Sequence, residues 1–180
     1  MTMKVKRPTW ADTSPAMQDY YDHYWGLPVH DERFLFEMLS LELFQAGLTW
    51  ATIWKRRLAF EEAFSDFLIE KVAAFSPDDV DRLLANKRII RNRRKIAATI
   101  NNAQVIYKMQ RAGQDFDDYI WSFVDHHPQR LILKPGEPLA PWTMSSKKMA
   151  TQMKKDGFKF MGPTIVYSFM TAVGLVNARL

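Results

Sequence analysis

The sequence contains no cysteine and no long apolar run. Without cysteine the chain has no disulfides, no thiolate metal ligands and no cysteine nucleophile, as is common among cytosolic proteins. No stretch approaches the roughly 20 apolar residues that span a bilayer. The basic segment at residues 1–10 lacks the apolar core of a secretion signal. We therefore expect a cytoplasmic protein that does not associate with membranes.

Several catalytic motifs are also missing. There is no glycine loop that would cradle a phosphate, no serine-nucleophile elbow and no pair of carboxylates at catalytic spacing. The four histidines have no metal-ligand spacing, so no metal site is expected. No stretch alternates convincingly with period two, as a strand would. The patterns that remain predict an all-α fold of eight to ten helices, in a single domain over residues 1–180. Among them, Asp31 can cap one helix, Thr49 can cap another that runs through residue 64, and a third begins at about Asn92. Residues 126–141, with four prolines, predict a loop that wraps the surface.

One predicted helix, at residues 31–47, is apolar on more than one face and should be buried. Glu42 lies on one of its apolar stripes, four residues after Met38 and three after Leu39. A carboxylate in that position must be paired, protonated or next to a cavity, because burying an isolated charge is too costly. Trp50 follows the helix closely and places a large aromatic surface near this acid.

The charge pattern favours a polyanionic partner. The net charge is +5, and the most basic segment, at residues 87–95, joins two predicted helices by a short turn. Basic side chains and free amides at the start of a helix can bind a phosphate. A solvated basic face is an equally good interpretation of such a run, so both remain open on charge alone.

Five segments taken in order resemble the DNA-3-methyladenine glycosylase I family, within the helix-hairpin-helix glycosylase superfamily. They are Trp10, YYDHYWGLPVHDERFLFEMLSLELFQAGLTW from residue 20, IIRNRRKI from residue 89, WSFV from residue 121 and KKDGFKFMGPTIVYSFMTAVGLVN from residue 154. The combination of WG-x-P, LE-x-x-QAGL-[ST]-W and GFKF-x-G-x-T is specific. The resemblance covers nearly the whole chain and is weakest over residues 126–148.

The resemblance implies a helix-hairpin-helix glycosylase fold with a base-binding cleft between two helical lobes. It also implies base excision repair, by hydrolysis of the N-glycosidic bond of 3-methyladenine in alkylated double-stranded DNA. Free 3-methyladenine would be the product. No cofactor is expected, and no lysine is placed for strand cleavage. We expect the protein to act as a monomer.

The family's functional positions map onto this chain residue by residue. Glu42 matches the pocket acid, which we expect to stay ionised and to bind the amine edge of a cationic base. The matching aromatic positions of the pocket are Tyr20, Trp50, Trp25 and Trp10. The turn that plugs the duplex would contain Gln45, Gly47 and Leu48, and the phosphate-binding hairpin would use Arg88, Arg91, Arg93 and Lys95.

The chain departs from the family pattern in three places. The zinc clamp of the family maps to Pro8, Tyr21 and Arg179, with its fourth position past residue 180. We therefore expect no zinc, and termini held by packing such as Tyr21 against Pro8. Arg88 stands where the hairpin usually has glycine, and Met17 replaces a tyrosine of the substrate pocket.

These departures keep two alternatives open. The first is a lesion-sensing module that binds DNA without catalysis, which the missing clamp and the altered hairpin favour. The second is a glycosylase with a shifted preference, for example for 3-methylguanine, which the Met17 replacement favours.

Overall fold

The computed structural model describes residues 6–134 and 136–180, and these are predominantly helical. This confirms the predicted all-α class. None of the described helices is long and apolar enough to cross a membrane. In chain order the helices are α1 Pro15–His23, α2 Glu32–Gln45, α3 Trp50–Trp54, α4 Arg57–Ala63, α5 Ile69–Ala73, α6 Pro77–Ala85, α7 Arg93–Arg111, α8 Phe116–Ser122, α9 Met144–Lys155 and α10 Pro163–Ala172, with short 3-10 turns at Ala11–Thr13 and Ser65–Phe67.

Side-chain caps begin the helices that position the site. The Asp31 carboxylate accepts a 2.7 Å hydrogen bond from the backbone N–H of Phe34 and so begins α2. Asn92 accepts from the N–H of Lys95 at 3.1 Å and begins α7 in the same way. Such caps satisfy backbone donors that have no partner within the helix. Both helix starts are confirmed as predicted from the sequence.

One helix prediction is wrong. We expected a single helix from Thr49 through residue 64, but the chain breaks between α3 and α4 at Arg56 (φ −97°, ψ 6°). The Arg56 guanidinium donates to the Thr52 carbonyl at 2.9 Å, which is the acceptor that a continuing α-helix would give to the Arg56 N–H. That N–H bonds the Ile53 carbonyl instead, at 2.9 Å. The side chain therefore competes with the backbone and ends the helix.

Helix α2 lies at the centre of the molecule. Ten of its residues are buried, from Leu35 to Phe44, and it packs against α3, α7, α8 and α10. The segment after α8 is tied to the chain beyond α10 by two short parallel strands, β1 (Gln129–Arg130) and β2 (Val176–Asn177). Strands of two residues are too short to produce an alternating pattern, so the sequence carried no sign of them.

The C-terminal end of the chain is held by Arg179. Its guanidinium donates to the carbonyls of Tyr21 (2.6 Å) and Trp25, and its carbon Cζ lies 4.3 Å from the centre of the Tyr21 ring. The Tyr21 hydroxyl in turn accepts from the N–H of Leu180 at 3.2 Å. A Cβ atom at Gly26 would lie 2.8 Å from the Arg179 side chain, at a backbone φ of +75°. Only glycine fits this position without strain.

A second contact holds the N-terminal side. Arg7 forms a bidentate pair with Asp22, with hydrogen bonds of 2.9 and 2.7 Å, and this hydrogen bonding lowers the pKa of the Asp22 carboxyl. Proline, tyrosine and arginine at positions 8, 21 and 179 do not fit a zinc ion, because none supplies a zinc ligand of the usual kind. Hydrogen bonds and a cation–π contact connect the termini where the family uses a metal.

We predict that Arg179→Ala lowers the free energy of unfolding by about 2 kcal/mol, the usual scale for a charged hydrogen bond with a cation–π contact. For a chain of this size that lowers Tm by about 4–8 °C. A metal chelator should leave the wild-type Tm unchanged. Arg130→Ala, at an exposed position of β1, is the matched control. An unchanged Tm for Arg179→Ala would contradict this role.

Candidate active site

Helices α1, α2, α3 and α10 and the loop before α9 surround a cavity of about 170 Å³. A cavity of about 150 Å³ is enough to hold benzene, so the space suits one small aromatic group. The wall combines six of the predicted site residues with three others: Trp10, Tyr20, Trp25, Glu42, Gln45, Trp50, Leu139, Ser168 and Thr171.

Aromatic rings form a continuous group around this cavity. The centroids of Tyr20 and Trp50 are 5.2 Å apart, and those of Trp10 and Trp25 are 5.4 Å apart. Trp10 also lies 6.1 Å from Tyr20 and so connects the two pairs. Rings at these separations support each other. They leave flat, polarisable surfaces for stacking a planar ligand.

Helix α2 carries two buried carboxyls with opposite surroundings. Glu37 is fully buried and paired: its oxygens accept from Arg57 at 2.9 Å and from Arg33 at 3.1 Å. Glu42 is 4% exposed, yet no hydrogen bond or ion pair from the described residues reaches its carboxyl. A buried carboxyl is normally paired for structural reasons. Glu37 fits that rule, and Glu42 instead faces the cavity.

Burial raises the pKa of Glu42 to about 8. This direction is opposite to the expectation that Glu42 stays ionised, which stays a prediction for the acid beside a bound cationic base. The reason is that no cation compensates for the lost hydration of the charged form. A cationic ligand would supply that compensation.

Two further polar atoms belong to this site. Burial, followed by the nearby Glu42 charge, raises the pKa of Tyr20 well above its usual value. The Tyr20 hydroxyl therefore keeps its proton and can donate. Trp50 Nε1 is buried and has no hydrogen-bond partner among the described residues. Such unsatisfied groups are rare in folded proteins, and they require an explanation such as function.

The sequence did not identify three residues of the wall. Ser168 and Thr171 are small polar residues three apart on the mostly apolar helix α10, which is the signal that could have revealed them. Leu139 comes from a loop that we expected only to wrap the surface. Met17, which we assigned to the substrate pocket, is buried in the core and absent from the wall. Its position in α1 turns it toward the interior.

The predicted plug forms a tight turn directly after α2. The Leu48 N–H donates to the Gln45 carbonyl at 2.7 Å, Ala46 has φ −50° and ψ 119°, and Gly47 has φ +78°. These angles define a type II turn, which requires glycine at its third position. Gln45 Nε2 donates back to the Leu48 carbonyl at 2.9 Å. Leu48 is thereby presented as an exposed apolar side chain next to the cavity wall.

The basic hairpin lies between α6 and α7. Arg91 and Arg93 are exposed there. Arg88 is exposed as well and pairs with Glu62 at 2.6 Å. The backbone of Arg88 does not have a positive φ, so this turn forms without the glycine that is usual in the family.

Lys95 has a different place from the one we predicted. It is 7% exposed, and its ammonium donates to the carbonyls of Phe44 (2.8 Å) and Ala46 (2.6 Å). A cation held in this way is not available to a DNA phosphate. The assignment of Lys95 to the phosphate-binding set is therefore wrong, because its position on α7 faces the end of α2 rather than solvent.

An all-helical protein with a ring-lined cavity, an unpaired acid at its wall and a basic hairpin nearby has the features of a DNA glycosylase. A family model described as methyladenine glycosylase matches residues 10–180. DNA-3-methyladenine glycosylase 1 of Escherichia coli (strain K12) is 43% identical, over 96% of this chain and 92% of that protein. This chain belongs to the methyladenine glycosylase family.

Two solved structures agree with this assignment. A crystal structure of 3-methyladenine DNA glycosylase I superposes with a TM-score of 0.93 at 43% identity, covering 97% of this chain and 96% of that one. A second, of a tyrosine-to-phenylalanine variant of 3-methyladenine DNA glycosylase I in complex with 3-methyladenine, has a TM-score of 0.89 at 38% identity, covering 93% and 90%.

The raised pKa of Glu42 predicts a pH-dependent stability. An unfolded glutamate ionises near pH 4.3, whereas folded Glu42 ionises at about 8, so between these values the folded state binds one more proton. Its stability must fall as pH rises, by up to about 1.4 kcal/mol per pH unit between about pH 5 and 7.5.

The glutamine of Glu42→Gln does not ionise, so the difference in unfolding free energy between wild type and this variant should change over the same pH window. Denaturant titrations at several pH values measure this difference. Glu70→Gln, at an exposed position of α5, should follow wild type. A constant difference between wild type and Glu42→Gln would mean that Glu42 ionises normally.

Proposed function

We propose that this protein is a monofunctional base-excision-repair glycosylase that hydrolyses the N-glycosidic bond of 3-methyladenine in alkylated double-stranded DNA. Free 3-methyladenine is the product. The protein acts as a monomer in the cytoplasm. The observation that carries the proposal is the buried, unpaired Glu42 carboxyl beside stacked rings. The naming of its relatives as DNA-3-methyladenine glycosylases supports it.

The chemistry of the substrate explains this kind of site. Alkylation at N3 gives adenine a positive charge, so the base is already a good leaving group and needs no strong acid. The enzyme must extrude the nucleotide from the stack and hold the cationic base. Tyr20 and Trp50 can stack on it, and a desolvated cation–π contact contributes roughly 2 kcal/mol.

Glu42 supplies the selection for charge. A cation entering the cavity favours the ionised carboxylate, so the proton leaves Glu42 as the base binds. Normal adenine brings no charge and therefore gains no such interaction. Water then bonds to the anomeric carbon and releases a proton to the solvent, while the C–N bond breaks and its electron pair neutralises the departing base.

The wall of the cavity supports a monofunctional mechanism. A lyase reaction would need a lysine amine at the sugar, and the residues that line the cavity include no lysine. Lys95 is the only buried lysine among the described residues, and its ammonium donates to two backbone carbonyls. We therefore expect base release without strand cleavage.

The structure bears on the observations behind the two alternatives. Arg179 connects the termini in place of the clamp, and the hairpin forms without a left-handed backbone at Arg88. A lesion-sensing module without catalysis is therefore no longer favoured by these departures. A shifted preference, for example for 3-methylguanine, stays a prediction, because Met17 does not line the cavity and so does not replace the contact that the resemblance implies for a tyrosine.

We predict that Glu42→Gln lowers kcat/KM for 3-methyladenine excision by roughly 10- to 100-fold, because a hydrogen bond to a charged group contributes about 1.5–3 kcal/mol. Binding to undamaged duplex DNA should not change. Mass spectrometry of the bases released from methylated DNA measures both the activity and the lesion range. Glu70→Gln should behave as wild type. If the wild-type protein releases no 3-methyladenine, the proposed function is wrong.

We predict that Arg91→Ala with Arg93→Ala reduces the slope of log K against log salt for duplex binding by about 2, since each phosphate contact contributes roughly 0.9. Lys108→Ala with Arg111→Ala is the matched control. It removes the same charge from exposed positions of α7, roughly 25 Å away at 1.5 Å per residue. Equal effects of the two pairs would assign Arg91 and Arg93 to a solvated face.

A further inference from the structure

The ammonium of Lys95 lies at an unusual place for a cation. Lys95 is in the first turn of its own helix, α7, where the positive end of the helix dipole disfavours another positive charge. It is also buried, and burial lowers its pKa. Neither effect stabilises the charge, so the reason for a lysine here must lie in what the ammonium contacts.

The contact is the opposite end of a different helix. Helix α2 has no basic residue in its last turn, and its final carbonyls lack partners within the helix. Lys95 Nζ donates to two of the carbonyls there, those of Phe44 at 2.8 Å and Ala46 at 2.6 Å. The negative end of α2 thus receives its cation from α7.

These two carbonyls flank Gln45, the residue from which the exposed turn begins. Among the described residues, Lys95 is the only one outside α2 and its turn that forms a hydrogen bond to residues 44–48. Apart from the residues next to it in the chain, no heavy atom of the described residues lies within 4 Å of a Cβ built on Gly47. The turn therefore projects away from the body of the protein, and its direction depends on how the residues at the end of α2 are held.

We infer that Lys95 is a positioning residue that aligns the Gln45–Leu48 turn with the basic hairpin, so that Leu48 can enter the duplex where the damaged base has left it. The inference rests on the proposed function. Lys95 is two residues from Arg93, and its backbone N–H donates to the side chain of Asn92, which caps α7 at the end of the hairpin. Phosphate contacts at the hairpin and insertion of the turn are thereby linked through one side chain.

Lys95→Met tests this role, because methionine keeps an unbranched apolar stem and removes the ammonium. We expect the excision rate on duplex DNA to fall by about 10- to 100-fold, the scale expected for a misplaced group. The preference for a duplex with an abasic-site analogue over an undamaged duplex should fall similarly. Affinity for free 3-methyladenine should stay within about twofold, because Lys95 does not line the cavity.

A double-mutant cycle with Leu48→Ala separates positioning from general damage. If Lys95 acts through the turn, the double variant should lose no more abasic-site preference than Leu48→Ala alone. The salt slope should stay at the wild-type value, since no phosphate contact is removed. Additive losses, a slope reduced by about 1, or a matching loss of free-base affinity would overturn the inference.

Lys95→Gln provides the same test if Lys95→Met does not fold, because glutamine keeps an N–H donor on a shorter side chain. Its effects should have the same pattern and a smaller size. The abasic-site and free-base measurements involve no catalysis. A wild-type protein that prefers the abasic duplex but releases no 3-methyladenine would therefore refute the proposed function without refuting the role of Lys95.

Discussion

Burial of the Glu42 carboxyl without a partner is the constraint on which the site depends. Helix α2 is buried along ten residues, so an acid placed on it must be neutralised by some means. Glu37 is neutralised by two arginines. No arginine or lysine among the described residues pairs with Glu42, and burial raises its pKa. In the proposed mechanism, a cationic base gains an interaction with this acid that a neutral base cannot.

The surrounding structure helps to keep Glu42 unpaired. Arg57 packs against the Trp54 ring, 4.7 Å from its centre, and is held between Glu37 and Glu61. An arginine directed into the cavity would favour the ionised form of Glu42 and remove the interaction proposed for a cationic base. Pairing at one acid thus preserves the unpaired state of the other.

Much of this arrangement could be predicted from the sequence, because short-range chemistry determines it. Periodicity placed α2 and put Glu42 on its buried stripe, and Asp31 and Asn92 identified the helix starts. Predictions failed where a side-chain contact that the periodic pattern does not encode decided the outcome. The Arg56 side chain broke a helix that its sequence pattern made continuous. Lys95 looked like one of a run of surface cations, and only the position of α2 shows that it faces inward. For the same reason, Leu139, which we expected in a surface loop, lines the cavity, and Met17, which we expected in the pocket, is buried in the core.

The protonation of Glu42 also bears on how the product leaves the cavity. While the base is cationic, attraction favours the carboxylate. When the glycosidic bond breaks, the base takes the bonding electrons and its charge disappears, so the carboxylate is again buried without a cation. Burial without a cation raises the pKa of this carboxyl, so in the proposed mechanism Glu42 takes up a proton from the solvent. The attraction that would select the lesion is then absent, and we propose that the neutral product is held by stacking against Tyr20 and Trp50.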